Sequence, residues 1–219
     1  MRYLVALTLL EGGSDEEFLP VVVQRSLQDV CHRLVESPVE VDVRPVVVSN
    51  PGDVSRERWV LERSRRERPL DVVLLHVDGS ADVDRELRKS FAPVEEVWQR
   101  EGGPGALLPL VPVREMEAWA LADTEVLERV LGAGVDATRV HEADRLTEPE
   151  RLSDPKLTLR DVAALGVRPR RKAPGPGVYL PLLAERLPLA ALRRLPSFRA
   201  FEHDIENLLD TLGWRTRDR

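Results

Sequence analysis

Cysteine and lysine are both scarce in this chain of 219 residues. Its one cysteine, Cys31, excludes a disulfide within the chain and any zinc site built on several cysteines. Cys31 falls in a stretch with helical periodicity, where we expect a buried thiol. Only three of the 32 basic residues are lysines, an imbalance that we attribute to coding bias rather than to chemistry.

Long apolar runs are missing too, since a bilayer-spanning helix needs about 20 apolar residues. The N-terminal run at 3–10 has the length of a strand and meets Glu11 at once, so it does not resemble a signal peptide. We therefore expect a cytoplasmic protein that does not interact with membranes. Hydrophobic residues make up 42% and charged residues 32%, which is ordinary for a globular protein, and the net charge of −6 disfavours a simple DNA-coating protein.

Three familiar catalytic signatures are also absent. The chain has no GxxxxGK[ST] phosphate-binding loop, no Gly-x-Ser-x-Gly nucleophile elbow and no His-x-x-x-His pair. These absences leave carboxylates as the main candidates for a chemical site.

The order of apolar and amphipathic segments is typical of an α/β fold. Through residue 123, a strand-length apolar run is followed four times by a stretch with helical periodicity. This order predicts a mostly parallel sheet with helices on both faces. The predicted strands are 3–10, 39–48, 71–78 and 106–113, and the predicted helices are 14–34, 54–68, 84–100 and one that begins at 115.

From about residue 124 the pattern changes to helices separated by turn-rich stretches. We therefore divide the chain into an α/β domain at 1–123 and a helical extension at 124–219 that packs on it. A basic loop rich in proline and glycine lies at 168–177. Its cations are candidates for contacting a nucleic-acid backbone, and the alternative is an ordinary solvated surface. They are Arg168, Arg170, Arg171 and Lys172.

Acidic residues follow three of the predicted strands. Glu11 comes directly after the first strand, Asp78 ends the third, and Glu115 and Glu117 follow the fourth. Because the carboxyl ends of parallel strands meet at one edge of a sheet, we expect these acids to lie close together. Carboxylate oxygens are the ligands that Mg²⁺ and Mn²⁺ prefer, and such ions assist phosphodiester hydrolysis. The sequence therefore predicts a magnesium site with Glu11, Asp78 and Glu117 as candidate catalytic residues.

Other candidates have a structural explanation beside the functional one. Asp15 lies in the first turn of a helix, where the helix dipole favours an acid in any case. His76 lies inside an apolar strand, which is more typical of a buried, hydrogen-bonded histidine than of a ligand. Trp119 is expected to anchor the core rather than to stack on a base. With Asp82 from the turn after the third strand, the candidate metal ligands are Glu11, Asp15, Asp78, Asp82, Glu115 and Glu117.

Five stretches of the chain match one known family. They are Glu11-Gly12-x-x-Asp15-Glu16, Asp78 at the end of a strand, Arg114-Glu115-x-Glu117-Ala118-Trp119-x-Leu121-Ala122-Asp123, Asp154-Pro155-Lys156 and Pro196-Ser197-Phe198-x-x-Phe201, and the Glu-x-Glu-Ala-Trp part of the third is the most specific. Over roughly residues 1–212 they resemble the DUF4276 family of Toprim-like proteins, which are related to the catalytic domain of OLD-type nucleases and to RloB-type proteins. The resemblance implies a Toprim-like fold, Mg²⁺ (or Mn²⁺) bound by the first-strand glutamate and the later acids, and nucleic-acid cleavage, often in bacterial defence systems beside a separately encoded ATPase.

The chain departs from the Toprim pattern after the third strand. Toprim sites usually present Asp-x-Asp there, whereas this sequence has Asp78-Gly79-Ser80. Asp82 or Asp84 could supply the second carboxylate. Two functions therefore stay open: a metal-dependent phosphodiesterase that cleaves DNA or RNA, and a catalytically weak subunit that binds nucleic acid or regulates a partner ATPase.

Overall fold

A computed structural model describes residues 1–48, 54–132, 146–165 and 175–215 of the chain. Its strands are β1 (Arg2–Leu10), β2 (Val39–Val47), β3 (Val72–His76) and β4 (Ala106–Leu110). They form one sheet in the order β2-β1-β3-β4, and every neighbouring pair is parallel. The four predicted strands and their parallel arrangement are confirmed.

Helices connect the strands and make up most of the described residues after β4. A 3₁₀ turn at Pro149–Arg151 lies among them. The helices are α1 (Gly13–Leu34), α2 (Arg56–Arg66), α3 (Val83–Glu86), α4 (Ala92–Glu101), α5 (Glu117–Ala120), α6 (Thr124–Leu131), α7 (Pro155–Leu165), α8 (Pro176–Arg186), α9 (Leu189–Leu192) and α10 (Pro196–Thr211).

The sheet is covered on both faces, because alternate residues of each strand point in opposite directions. Leu7 and Leu75 belong to an apolar cluster that includes residues of α2 and α4. Leu4 and Leu74 belong to a larger cluster that includes residues of α1. The predicted α/β architecture with helices on both faces is therefore confirmed.

Helix α1 joins the sheet to the C-terminal helices. It contacts β2, α8 and α10. Arg25 of α1 donates from Nη2 to the carbonyl oxygen of Leu187 at 2.7 Å and from Nη1 to the carbonyl of Ala184. The larger apolar cluster contains residues from both sides of position 123, so the helical second half packs on the α/β part as one continuous core.

The predicted helix at 84–100 is interrupted by a wider turn. Helix α3 is followed by a π-helical segment at Leu87–Phe91, and α4 begins after it. Pro93 lies in the first turn of α4. A proline has no N–H and its ring clashes with the carbonyl four residues earlier, so the preceding turn widens.

Trp119 anchors α10 to the rest of the core. Its ring is fully buried and lies edge-on to Phe198 with the ring centroids 5.1 Å apart. Its Nε1 donates to Ser197 Oγ at 2.8 Å. The predicted core role is confirmed, since a fully buried ring has no free face for a nucleic-acid base.

Replacing Trp119 with alanine should lower the free energy of unfolding by about 3–5 kcal/mol, because the change leaves a large cavity in the core. Trp119→Phe is the matched control, since it keeps an aromatic ring against Phe198 and loses the hydrogen bond to Ser197. Trp119→Phe should lower the free energy of unfolding clearly less than Trp119→Ala does. Urea unfolding followed by circular dichroism measures both variants. Equal small losses would show that Trp119 is not an anchor.

Candidate active site

The predicted acids lie at the carboxyl edge of the sheet. Strand β3 lies between β1 and β4, so the segments that follow these three strands are neighbours in space. Glu11 follows β1, Asp78 follows β3, and Glu115 and Glu117 follow β4. The parallel topology therefore brings the sequence-predicted acids to one side of the molecule.

His76, the last residue of β3, lies between two of these acids. Its side chain is fully buried, and Nε2 is 3.4 Å from Asp78 Oδ1 and 3.7 Å from Asp15 Oδ1. On the other side of the ring, Nδ1 is 3.0 Å from the carbonyl oxygen of Leu110. The sequence prediction of a buried, hydrogen-bonded histidine is confirmed, and this histidine also faces the carboxylates.

The contacts of His76 indicate a protonated ring. A carbonyl oxygen only accepts hydrogen bonds, so Nδ1 must carry a proton toward Leu110. A neutral ring would then present the Nε2 lone pair to two carboxylates, which is repulsive. Burial lowers the pKa of His76, but Asp15, Asp78 and the Leu110 carbonyl outweigh burial and raise it to about 10. Nε2 itself is buried and too far from either carboxylate for a well-formed hydrogen bond.

Asp15 has a structural role as well as an electrostatic one. Its Oδ2 accepts a hydrogen bond from the backbone N–H of Gly12 at 2.8 Å, which closes the start of α1. Its Oδ1 is the atom that faces His76. The helix-start explanation and the site explanation therefore apply to the same side chain.

Glu115 and Glu117 lie near Lys156 at the start of α7. Glu117 is buried, and its Oε1 is 3.8 Å from Lys156 Nζ. Glu115 Oε2 accepts from the backbone N–H of Lys156 at 3.3 Å. Burial raises the pKa of Glu117 to about 7; its own backbone N–H and Lys156 lower it, and Glu115 and Asp15 raise it. This carboxyl is therefore balanced between its two protonation states near neutral pH.

The causes of the raised pKa of Glu115 show that Asp78 lies close to this pair. Burial is the largest cause and raises the pKa, Lys156 lowers it, and the charges of Asp154 and Asp78 raise it further. Together with the effect of Asp15 on Glu117, this places four predicted ligands in one electrostatic cluster. We call Asp15, Asp78, Glu115 and Glu117 the acid cluster.

Glu11 has a different partner. Its Oε1 is 2.7 Å from Nη2 of Arg56, at the start of α2. The same Arg56 nitrogen lies 3.5 Å from the carbonyl oxygen of His76. Glu11 therefore lies beside the acid cluster, held by a cation of its own.

The turn after β3 uses Asp82 as a helix cap. Asp82 Oδ1 accepts from the backbone N–H of Arg85 at 3.0 Å, which caps α3, and Ser80 Oγ accepts from the N–H of Asp82 at 3.1 Å. Gly79 is required by close packing, since a Cβ there would lie 2.3 Å from the carbonyl oxygen of Pro112. Asp82 stays a predicted ligand, and one of its oxygens already has this capping bond.

Arg114 and Tyr179 are site neighbours that the sequence prediction missed. Arg114, between β4 and Glu115, has a φ of 63°, a strained conformation for a residue with a side chain. Its Nη1 donates to the carbonyl of Ser153 at 3.3 Å, and its Nε is buried without a hydrogen bond. Burial and the charge of Glu117 raise the pKa of Tyr179, which places this α8 side chain near the cluster.

Lys156, Arg56 and His76 are the other charged neighbours of the acids that the acid pattern did not reveal. Lys156 was visible only in the Asp154-Pro155-Lys156 stretch of the family resemblance, and nothing in the sequence singled out Arg56. The predicted nucleic-acid contacts Arg168, Arg170, Arg171 and Lys172 lie outside the described residues.

The arrangement concentrates carboxylate oxygens at the carboxyl edge of the sheet. In the described parts of the chain, no three His, Cys, Asp or Glu side chains are placed together closely enough to hold a metal ion. The acid cluster is instead interleaved with the chain's own cations, His76 and Lys156. The donor atoms themselves are carboxylate oxygens, which are the ligands that Mg²⁺ and Mn²⁺ prefer.

In protein kept free of metal with EDTA, the imidazole of His76 should still be protonated at pH 8, because its pKa is raised from 6.5 to about 10. The charged ring thus adds stability that is complete below pH 6.5 and is lost as the pH rises through 10. NMR titration of the ring signals measures this, with His76→Gln to identify them. Asp15→Asn should lower the pKa. A His76 signal that titrates near 6.5 would contradict the assignment.

Comparisons with protein-family models, with curated proteins and with solved structures give no match for this chain. The resemblance to the DUF4276 family therefore rests on the motifs in the sequence itself. Among the described residues, no helix has both the length and the apolar composition needed to cross a membrane.

Proposed function

We propose that the acid cluster is the site of a cytoplasmic, Toprim-like, metal-dependent phosphodiesterase, a nuclease that acts on DNA or RNA. One observation supports the proposal: Asp15 on α1 helps to raise the pKa of Glu117, and Asp78 at the end of β3 helps to raise the pKa of Glu115. Such concentrated negative charge costs free energy unless a cation offsets it. A divalent cation is the ligand that this concentration of negative charge favours. A bound cation would in turn attract the oxygens of a phosphoryl group.

The donor atoms are of the kind that Mg²⁺ and Mn²⁺ prefer, although no three of the described side chains lie close enough together to hold an ion as they stand. Asp15, Asp78, Glu115 and Glu117 would have to move toward one another to hold the ion, and Glu11 is the neighbouring acid that could join them. When bound, the ion supplies positive charge that offsets the negative charge developing on the phosphoryl oxygens.

The chain's own residues supply proton transfer and phosphate binding. Without an ion, the carboxyl of Glu117, whose pKa burial raises to about 7, can take up and release a proton near neutral pH. Lys156 has about half of its side chain exposed, so its ammonium can contact a phosphate oxygen while it stays near Glu117. Arg56, which pairs with Glu11, can contact a phosphate oxygen in the same way on the other side of the site.

Asp78→Asn and Glu117→Gln keep the size of each side chain and remove the charge that attracts the ion. Mn²⁺ affinity, measured by isothermal titration calorimetry, should fall by about tenfold or more, and cleavage of labelled DNA or RNA should fall by about 100-fold or more. The matched control is Glu125→Gln on α6, an acid with 85% of its side chain exposed, which should change neither. Circular dichroism checks that each variant is folded.

The cleavage assay should include any partner ATPase encoded beside the gene, because an isolated subunit can be inactive. Cleavage that is equally fast with Asp78→Asn would remove Asp78 from the mechanism. Unchanged Mn²⁺ affinity in both variants would overturn the metal site.

A second function is favoured by the turn after β3. Where Toprim sites usually carry a second aspartate, this chain has Ser80, and Asp82 caps α3. This supports a catalytically weak subunit that binds nucleic acid or regulates a partner ATPase. If the wild-type chain with its partner never cleaves DNA or RNA in Mg²⁺ or Mn²⁺, this function is preferred.

A nuclease and a nucleic-acid-binding subunit both require a surface for nucleic acid, and the basic loop at 168–177 is the candidate. Changing Arg170 and Arg171 to alanine should weaken binding and reduce the slope of log affinity against log salt by about one unit per lost phosphate contact. Fluorescence anisotropy at several salt concentrations measures the slope. Arg129→Ala with Arg151→Ala removes the same charge from exposed ion pairs and should leave the slope unchanged. An unaltered slope in the loop variant would make the loop an ordinary solvated surface.

A further inference from the structure

Strand β4 lies at one end of the sheet and presents an open side. Its backbone contacts with the β3 side come from even-numbered residues: the N–H of Ala106 donates to Asp71, Leu110 accepts from Val77, and Pro112 accepts from Gly79. Backbone groups of successive residues point to opposite sides of a strand. The odd-numbered residues from 107 to 113 therefore direct their backbone groups away from β3.

A groove of about 250 Å³ follows this open side. Its floor contains the odd-numbered residues Pro109, Val111 and Val113. Val83 of α3 and Leu87 of the π-helical turn form one wall, and α10 forms the other with Ala200, Phe201 and Asp204. Apolar residues of α3, the π-helical turn, the β4 segment and α10 therefore line most of the groove.

The floor offers unused backbone groups. Among the described residues, the backbone of Val111 forms no hydrogen bond, and the alternation along β4 directs the carbonyl oxygen of Pro109 away from β3. Edge groups of this kind are a template for another strand. Pro109 has no N–H, so the donor on this stretch is Val111 and the acceptors lie on either side of it.

One charged group lines the groove. Asp204 is half-buried, and within the described residues it forms no ion pair. Burial raises the pKa of Asp204, and the charge of His203 partly offsets that rise. A carboxylate set between apolar walls is complementary to a cation on a long apolar stem, such as a lysine or arginine side chain.

We propose that this groove binds an extended segment of a partner protein, in which aliphatic and basic side chains alternate, as a fifth strand beside β4. Side chains of an added strand point alternately to the two walls. Its aliphatic side chains pack against Val83 and Leu87. Its basic side chains pass the exposed Ala200 and reach Asp204, while its backbone pairs with Val111.

The probe is the peptide acetyl-Val-Lys-Val-Lys-Val-Lys-Val-amide, titrated into the uniformly ¹⁵N-labelled full chain. Saturable chemical-shift changes should centre on the amide of Val111 and on the α10 amides that face the groove. The same peptide with glutamate in place of lysine should bind about tenfold more weakly or not at all. A peptide with proline in place of the two inner valines should also lose binding, since proline cannot donate to the edge.

Variants of α10 test the groove itself. Asp204→Asn should weaken binding of the lysine peptide about tenfold, and it should not weaken binding of the glutamate peptide, because it removes a repulsive charge. Ala200→Trp lies on the exposed side of the helix and fills the groove, so it should abolish binding. Asp210→Asn, on the same helix beyond the groove, removes an equal charge and should leave binding unchanged.

Three results would overturn the proposal. These are no shift at Val111 up to millimolar peptide, equal binding of the lysine and glutamate peptides, and shifts that map to β2 instead. Sedimentation of the wild-type chain tests whether a second copy of the chain occupies the groove instead. A dimer that Ala200→Trp abolishes would assign the groove to a second copy of this chain and not to a partner's strand.

Discussion

Repulsion between carboxylates gathered at one edge of the sheet is the constraint on which the rest of this site depends. The carboxyl ends of parallel strands lie at the same edge of the sheet. Acids that follow those strands therefore come close together even though they repel one another. The chain offsets the repulsion with cations drawn from other elements. The pairs are Arg56 with Glu11, His76 with Asp15 and Asp78, and Lys156 with Glu117.

His76 shows how closely the cations and the fold are linked. An unpaired imidazolium would not persist inside an apolar strand, because burial disfavours the charge. Here the Leu110 carbonyl fixes the proton on Nδ1, and two carboxylates stabilise the charge on the far side of the ring. Because Asp15 also closes the start of α1, one side chain links that helix to β3 through the charge of His76.

The sequence was sufficient for the elements but not for the pairing of charges. Strands and helices were predictable because each is encoded by local periodicity, and the acids converge because parallel topology follows from the β-α order. Arg56 and Lys156 were not predictable as partners of Glu11 and Glu117, since they lie 45 and 39 residues away and no periodicity links them. The π-helical turn before Pro93 and the capping role of Asp82 depend on local geometry that residue type alone does not specify.

Strand β4 connects the acid cluster to the groove on the open side of the sheet. Its even-numbered carbonyls hold the other components of the site in place, Leu110 by accepting from His76 and Pro112 by accepting from Gly79. The contact at Pro112 is so close that only glycine fits at position 79, because a Cβ would meet the carbonyl oxygen at 2.3 Å. A larger residue there would push β3 and β4 apart beside His76 and Asp78. The requirement for glycine in Asp78-Gly79-Ser80 is therefore set by the spacing of two backbones, independently of which carboxylates the site uses.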